Sequence, residues 1–331
     1  MLRIKEVIDN IEEGREFDLQ PGQQIQFSSS QKRAIILEGE QFVPSKEDFA
    51  EAVEAAADAE DEEEIDDDVK EFLNKWQITP GQWAIHSDHG RTELEDTEEM
   101  YFETESSKEL EKNFQVFWDK QDILKKYKKT KRAYLLHSRP GTGKSALIRN
   151  FCRKNKDKDG LSVITVPGDT DYERLTWMFA MPYNKDVKSV VLVIEDLGSS
   201  EQLMNNFTHQ PAFLNFLDGV NGLFKVPTLV VITTNFPDQL PEQIMDRPGR
   251  INKKIEVAMP SDDEVCKLVE NIMDRKLTDA EKEAFIGQGL TPDHCVEAVV
   301  RSELESIPLS DSVRNIRQET QAVIEKPNFF R

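Results

Sequence analysis

The chain has 331 residues, room for two folded units at about 150 residues each, and its 38% hydrophobic content can build at least one sizeable core. Its 63 acidic residues outnumber 42 basic ones, and the resulting net charge of −21 disfavours broad adhesion to nucleic acid or to anionic membranes. Three widely spaced cysteines, Cys152, Cys266 and Cys295, argue against a disulfide framework or a zinc site, and five histidines lack metal-ligand spacing.

The N-terminal stretch MLRIKEVIDN lacks the apolar core of a signal peptide, and no apolar run approaches the ~18 residues of a membrane span, so a soluble, cytoplasmic protein is expected. Residues 1–57 read as a small α+β region. There QIQF and RAIILEG alternate like a hairpin, and Ser45 is a candidate N-cap for KEDFAEAVEAA. Residues 58–68, DAEDEEEIDDD, hold nine acids in eleven positions, and their self-repulsion predicts a linker or frayed helix end. Residues 69–109 form a connecting region in which VKEFLNKW suggests a short helix, GQWAIH and MYFETES suggest strand fragments, and Trp76 and Trp83 can anchor a minor core. The basic run KKYKKTKR, residues 125–132, reads as a solvated helix end before a buried strand.

From about residue 110 helices and strands alternate, the pattern of a parallel sheet covered on both faces. Five apolar runs predict its strands: AYLLH, SVITV, VVLVIE, TLVVITT and KIEVA. This α/β region ends near residue 260, and residues 261–331 read as a small helical domain. In it Val265, Leu268, Val269, Ile272 and Met273 line one helical stripe, Thr278 and Glu281 make a capping box, and Thr291-Pro292 can open another helix.

The chemistry concentrates after the first of those strands. The segment HSRPGTGKSALIRN fits the phosphate-loop spacing at Gly143, Lys144 and Ser145, with Ser138 where the first glycine usually stands. Backbone amides of such a loop wrap phosphates, and the helix that follows adds its partial positive charge. Lys144 would neutralise the outer phosphates of ATP and Ser145 would coordinate the Mg²⁺ bridging them. The third predicted strand delivers Glu195 and Asp196 to the sheet's carboxyl edge, where one carboxylate would serve Mg²⁺ and the next the attacking water. The fourth ends at Asn235, whose amide could help position that water, and RPGR beyond it carries Arg247 and Arg250, suited to an outer phosphate across a subunit boundary.

Taken together, AYLLHSRPGTGKS, VVLVIED, FLNFLDGV and VVITTNFPDQLPEQIMDRPGRINKKIEV resemble, in order and separation, the AAA family of ring-forming ATPases. Within that family the chain is most similar to the branch of the mitochondrial translocase that inserts the Rieske iron-sulfur protein, on the strength of IEDL, FLNFLDGV and GDTDYERLTWMF. The resemblance implies a P-loop NTPase fold: a five-stranded parallel sheet at 110–260 with an α-helical lid at 261–331, assembled as a homo-oligomeric ring, a hexamer or heptamer. It implies ATP and Mg²⁺ as cofactors. Pro140, Gly141, Thr142, Gly143, Lys144, Ser145 and Ala146 would bind the nucleotide, and Ser145 and Glu195 would hold the metal. Asp196 would activate water, Asn235 would sense the γ-phosphate, and Arg247 and Arg250 would be fingers for a neighbour's site. The chain departs from the family in its Glu-then-Asp order and in having no arginine in GLTPDHC to read the nucleotide in cis.

The expected function is ATP hydrolysis, the ATPase reaction yielding ADP and phosphate, coupled to chaperone-like remodelling or translocation of a protein substrate. The alternative is an ATPase serving nucleic-acid transactions, of clamp-loader or helicase-loader type, which the acidic charge disfavours. In TWMFAM, Trp177 and Phe179 could form an aromatic substrate-threading loop, but Leu175, Met178 and Phe179 also fit a buried helix face, and core packing is the favoured reading.

Overall fold

The computed structural model describes residues 3–9, 23–28, 33–38, 44–58, 67–86, 90–94, 104–127, 129–198, 211–219, 222–247 and 249–324. The chain divides into two units, Met1–Trp76 with His86–Gly90, and Gln77–Ile85 with Arg91–Arg331.

In the first unit, β1 (Arg3–Asp9), β2 (Gln23–Ser28) and β3 (Arg33–Glu38) form an antiparallel sheet in the order β1-β3-β2. The expected hairpin is β2–β3, and β1 adds a strand on its other side. Helix α1 (Lys46–Asp58) begins at Ser45, whose hydroxyl accepts from the Asp48 amide at 3.3 Å while its own amide donates to Asp48 Oδ2 at 2.6 Å. Helix α2 (Asp67–Trp76) pairs with it through aromatic edges: the Phe49 ring lies 5.1 Å from Phe72 and 5.5 Å from Trp76. Such pairs add about 1 kcal/mol each beyond the area they bury. Most of the acidic stretch, residues 59–66, lies outside the described residues.

The second unit is built on a sheet of seven strands: β4 (Gly81–His86), β5 (Gly90–Glu93), β6 (Lys131–His137), β7 (Leu161–Pro167), β8 (Ser189–Glu195), β9 (Thr228–Thr234) and β10 (Lys253–Glu256). Their order is β10-β6-β9-β8-β7-β4-β5, and the pairings from β10 through to β4 are parallel. The five expected strands are present, but the count of five is too low. GQWAIH pairs with β7, Gly81 opposite Ser162 through Ala84 opposite Thr165, and GRTE follows as the outer strand. Both are short strands of mixed polarity, β5 at the sheet's edge and β4 next to it, so their pattern does not reveal which sheet they join. Their anchor is Trp83, whose indole donates to the Thr79 carbonyl at 3.1 Å while the Arg91 guanidinium lies 4.5 Å over the ring. Of MYFETES, residues 100–103 lie outside the described residues. Thr104 caps a helix instead of entering a strand, through a reciprocal box with Ser107.

That helix, α3 (Glu105–Asp119), leads through α4 (Gln121–Lys126) into β6, and α5 (Lys144–Lys154) leaves it. Leu110, Phe114 and Phe117 of α3 and Leu147, Ile148, Phe151 and Cys152 of α5 pack on Val163, Val191, Val193, Leu229 and Val231, closing one sheet face. Residues of the opposite parity, Leu192, Ile194, Val230 and Ile232, are equally buried. Burying each is worth about 1.5–3 kcal/mol. Helices α6 (Tyr172–Ala180) and α7 (Pro211–Asp218) pack together through Tyr172, Phe179, Phe213 and Phe216. Phe179 is fully buried and, like Trp177, lies within a helix rather than a loop, in keeping with core packing.

After a short α8 (Glu242–Met245), four helices follow among the described residues: α9 (Asp262–Ile272), α10 (Asp279–Phe285), α11 (Pro292–Leu304) and α12 (Leu309–Ile324). They share a core of their own made by Val265, Leu268, Val269, Phe285, Cys295, Val299 and Val313, with Ile272 and Met273 packed at its margin. The Thr278–Glu281 box and the Thr291-Pro292 start are both present. No helix among the described residues is long and apolar enough to cross a membrane.

Candidate active site

Strand order decides the site. Because β6, β9 and β8 are consecutive neighbours, the loop after β6, Asn235 after β9 and Asp196 after β8 meet at one carboxyl edge. Residues 138–143 link β6 to α5, and Gly141 (φ +78°) and Gly143 (φ +84°) take the left-handed conformation that favours glycine. Gly143 occupies the N-cap position of α5 without a side-chain capping bond, the first turn carries no acidic residue, and nothing lies within 4 Å of where a Cβ on Gly143 would stand. Open, uncapped amides at a helix N-terminus fit a phosphate group. Pro140 is exposed, Thr142 is buried, and Ser145 and Ala146 are half-buried in the first turn.

Lys144 is buried. Its ammonium donates to Ser138 Oγ at 2.9 Å, to the Arg139 carbonyl at 3.4 Å and to Asn235 Oδ1 at 2.5 Å. Ser138, the departure from the usual glycine, is thus a partner of the lysine, and its hydroxyl also meets that of Thr142. The Asn235 amide in turn donates to Asp196 Oδ1 at 3.2 Å, so lysine, asparagine and aspartate form a chain. Burial draws the Lys144 amine below its ordinary pKa, while the charges of Asp196 and Asp293 pull it back up.

Asp196 leaves β8 in a left-handed turn, φ +53°, a conformation costing about 1–2 kcal/mol for a residue with a Cβ. The turn is held by β9: the Asp196 amide donates to Thr233 Oγ1 at 2.8 Å and the Leu197 amide to the Thr233 carbonyl at 2.8 Å. Glu195, one residue earlier, is the last residue of β8. Its charge reaches Cys152 of α5, whose thiol is pushed up to about 12, first by burial and then by that carboxylate. Among the described residues no three His, Cys, Asp or Glu side chains cluster to hold a metal by themselves. Ser145 and the two carboxylates supply the hard oxygen donors that suit a Mg²⁺ shared with phosphates and water.

Arg247 and Arg250 are not at this edge. The Arg250 carbonyl lies 3.4 Å from the ammonium of Lys131, which opens β6 opposite Thr228, the first residue of β9. Six residues of strand separate that end from His137, about 20 Å at the usual rise. Arg250 is buried and bidentate on Asp218, at 2.9 and 2.8 Å, with a third bond to the Gln243 carbonyl at 2.7 Å. Arg247 touches the same carboxylate at 3.2 Å but its side chain is 59% exposed. Lys131 belongs to the basic run expected to be solvated. It is instead turned inward, bonding the Leu217 carbonyl, and burial pushes its amine down to about 8 against the opposing pull of Asp218.

Four residues at or near the site have no role that local sequence pattern reveals. Asp218 was visible within FLNFLDGV but carried no role until the arginines came to it. Thr233 looked like an ordinary strand residue. Thr291 and Asp293 open α11 against the phosphate loop, where a Cβ on Gly141 would meet Thr291 Oγ1 at 2.9 Å and Asp293 Oδ2 at 3.3 Å.

Residues 134–259 match the sequence profile of the ATPase family associated with various cellular activities (AAA). Among curated proteins, the chain is similar to the Arabidopsis thaliana protein AAA-ATPase At5g17760, 28% identical over 243 residues, covering 65% of this chain and 46% of that one. Protein HYPER-SENSITIVITY-RELATED 4 of the same plant is 26% identical over 210 residues, 56% of this chain and 35% of its own. A third relative, AAA-ATPase ASD, mitochondrial, is 27% identical over 213 residues, 54% and 40% of the two chains. The chain thus spans less than half the length of each of these relatives. The profile covers the strands and loops that carry the phosphate-loop spacing, both carboxylates, Asn235 and the arginine pair, so over residues 134–259 the chain is similar to the AAA family of ATPases.

Proposed function

We propose that the chain hydrolyses ATP as a homo-oligomeric ring, a hexamer or heptamer, and couples hydrolysis to remodelling or translocating a protein substrate. The observation that carries this reading is the separation of its cationic groups: Lys144 follows the carboxyl end of β6, whereas the RPGR turn meets Lys131 at that strand's amino end through the Arg250 carbonyl and carries the exposed Arg247. An exposed guanidinium on the turn at that far end, held by an ion pair to Asp218, can complete the site of a second copy. Arginines lent in this way are worth about 10³–10⁵ in rate.

In this reading residues 140–146 hold the phosphates through main-chain amides, and Lys144 exchanges its Asn235 partner for the outer phosphate. Ser145 and Glu195 would hold Mg²⁺, which supplies charge neutralisation on the phosphate oxygens. Asp196 orients the attacking water and accepts its proton, Asn235 fixes that carboxylate and reads the γ-phosphate, and Arg247 stabilises charge in the neighbour's transition state. Arg250 acts by holding the turn that presents Arg247. The acidic surface supports a polypeptide rather than a nucleic-acid substrate.

The test is complementation between two inactive variants. Lys144→Ala and Arg247→Ala should each lose at least about 100-fold in ATP turnover alone. Mixed in equal amounts, they should regain a measurable share, because an Arg247 from one copy can serve an intact phosphate loop on the other. An Arg247→Ala chain that is active by itself, or a mixture that stays inactive while both variants assemble, would count against the reading.

A further inference from the structure

We infer that Asp293 is a specificity-determining residue of the nucleotide site: its carboxylate, carried to the phosphate loop by α11, selects against negative charge on the ligand. The inference rests on the nucleotide-binding reading above and goes beyond it. Its geometry is set by the helix start. The Thr291 amide donates to His294 Nδ1 at 3.3 Å, the Thr291 hydroxyl meets the same nitrogen at 2.9 Å, and the His294 amide donates back to that hydroxyl at 3.3 Å, so the first turn of α11 is closed on itself. The turn then abuts the loop. The Asp293 amide faces the Gly141 carbonyl at 3.5 Å, and Asp293 Oδ2 stands 3.3 Å from where a Cβ on Gly141 would be.

Asp196, the other carboxylate whose charge reaches Lys144, has its oxygen held by Asn235. Asp293 is different. Among the described residues no hydrogen bond or ion pair ties its carboxylate, which is exposed over the loop. Its charge acts on the Lys144 ammonium across the loop, favouring the protonated amine. A phosphate chain entering the loop takes that ammonium for itself and leaves Asp293 facing like charge, a repulsion that increases with ligand charge and falls with screening. Metal-free ATP therefore suffers most, and ATP with Mg²⁺ suffers less. The helical layer thereby favours the metal-loaded form that the proposed reaction uses.

The experiment is equilibrium binding of a fluorescent ATP derivative to the full chain, with Mg²⁺ or with EDTA, for the native protein, Asp293→Asn and Asp293→Glu. Asp293→Asn should tighten metal-free ATP by about tenfold and ATP with Mg²⁺ by about threefold, and added salt should narrow the gap. Asp293→Glu should keep the native preference, and Asp293→Ser, a residue also favoured at helix starts, repeats the test should the asparagine variant melt early. Unchanged affinity in Asp293→Asn overturns the inference, as does weaker binding, which would mean that the carboxylate holds a ribose hydroxyl or a metal-bound water. Failure of the native chain to bind ATP under either condition overturns the nucleotide-site reading itself, and is distinguished by that control.

Discussion

Arg247 and Arg250 lie three residues apart in one turn, yet one is exposed and the other has all three of its guanidinium nitrogens bonded. Their substitutions should therefore fail in different ways. Arg250→Ala strands Asp218 beside a cavity and should lower unfolding free energy by about 3 kcal/mol, read in urea titration, whereas Arg247→Ala should cost under about 1 kcal/mol while removing turnover. The same pair has an acid limb. The Arg250 hydrogen bonds, ahead of other causes, hold the Asp218 carboxyl below its ordinary range. Its folded pKa is thus below its unfolded one, so the stability it contributes is present above the unfolded value and is lost as pH falls through the folded one. Arg250→Ala should flatten that limb.

Strand β6 carries a chemical group at each end: the phosphate loop follows His137, and Lys131 opens the strand with its amine pushed down to about 8. Here the sign runs the other way from a paired lysine. The unfolded chain holds a proton on Lys131 up to about 10.5, while the fold releases it near 8, so unfolding takes up a proton between those values and stability rises with pH. Compared with Lys131→Met, the native protein should gain up to about 1.4 kcal/mol per pH unit in that window, measured by chemical denaturation. Equal slopes in the two proteins would refute this. Elements were legible in proportion to their local codes. The Thr278–Glu281 box and the Ser45 cap involve contacts three residues apart and could be read directly, as could the apolar runs of β8 and β9. Strands β4 and β5 could not be assigned to their sheet, because strands at or next to an edge need little apolar sequence and β4 takes its partner, β7, from remote chain.

For the whole molecule, the sheet separates a phosphate-binding edge from an arginine-bearing one, the division on which the proposed ring depends. The proposed cargo is testable at this level. Asp196→Asn, which keeps the shape of the turn and removes the base, should hold ATP with little turnover and retain polypeptide on affinity isolation; recovery of nucleic acid alone would favour a loader function instead. The residues 138–145, the carboxylate pair and the arginines of RPGR were nameable as candidates from sequence because each is a local pattern: glycines that permit left-handed turns, carboxylates at the end of an apolar run, and two arginines spaced by a turn. Sequence by itself therefore determined the likeness to AAA ATPases over residues 134–259, the Gly-Lys-Ser spacing after β6 and the roster of candidate groups. Only the tertiary structure decided that β9 lies between β6 and β8 and so joins Lys144, Asn235 and Asp196, that Arg250 is buried while Arg247 is exposed, and that Asp293 reaches Gly141. The physical reason is that strand order, side-chain burial and contacts between distant loops arise from packing across long sequence separations, on which local spacing carries no information.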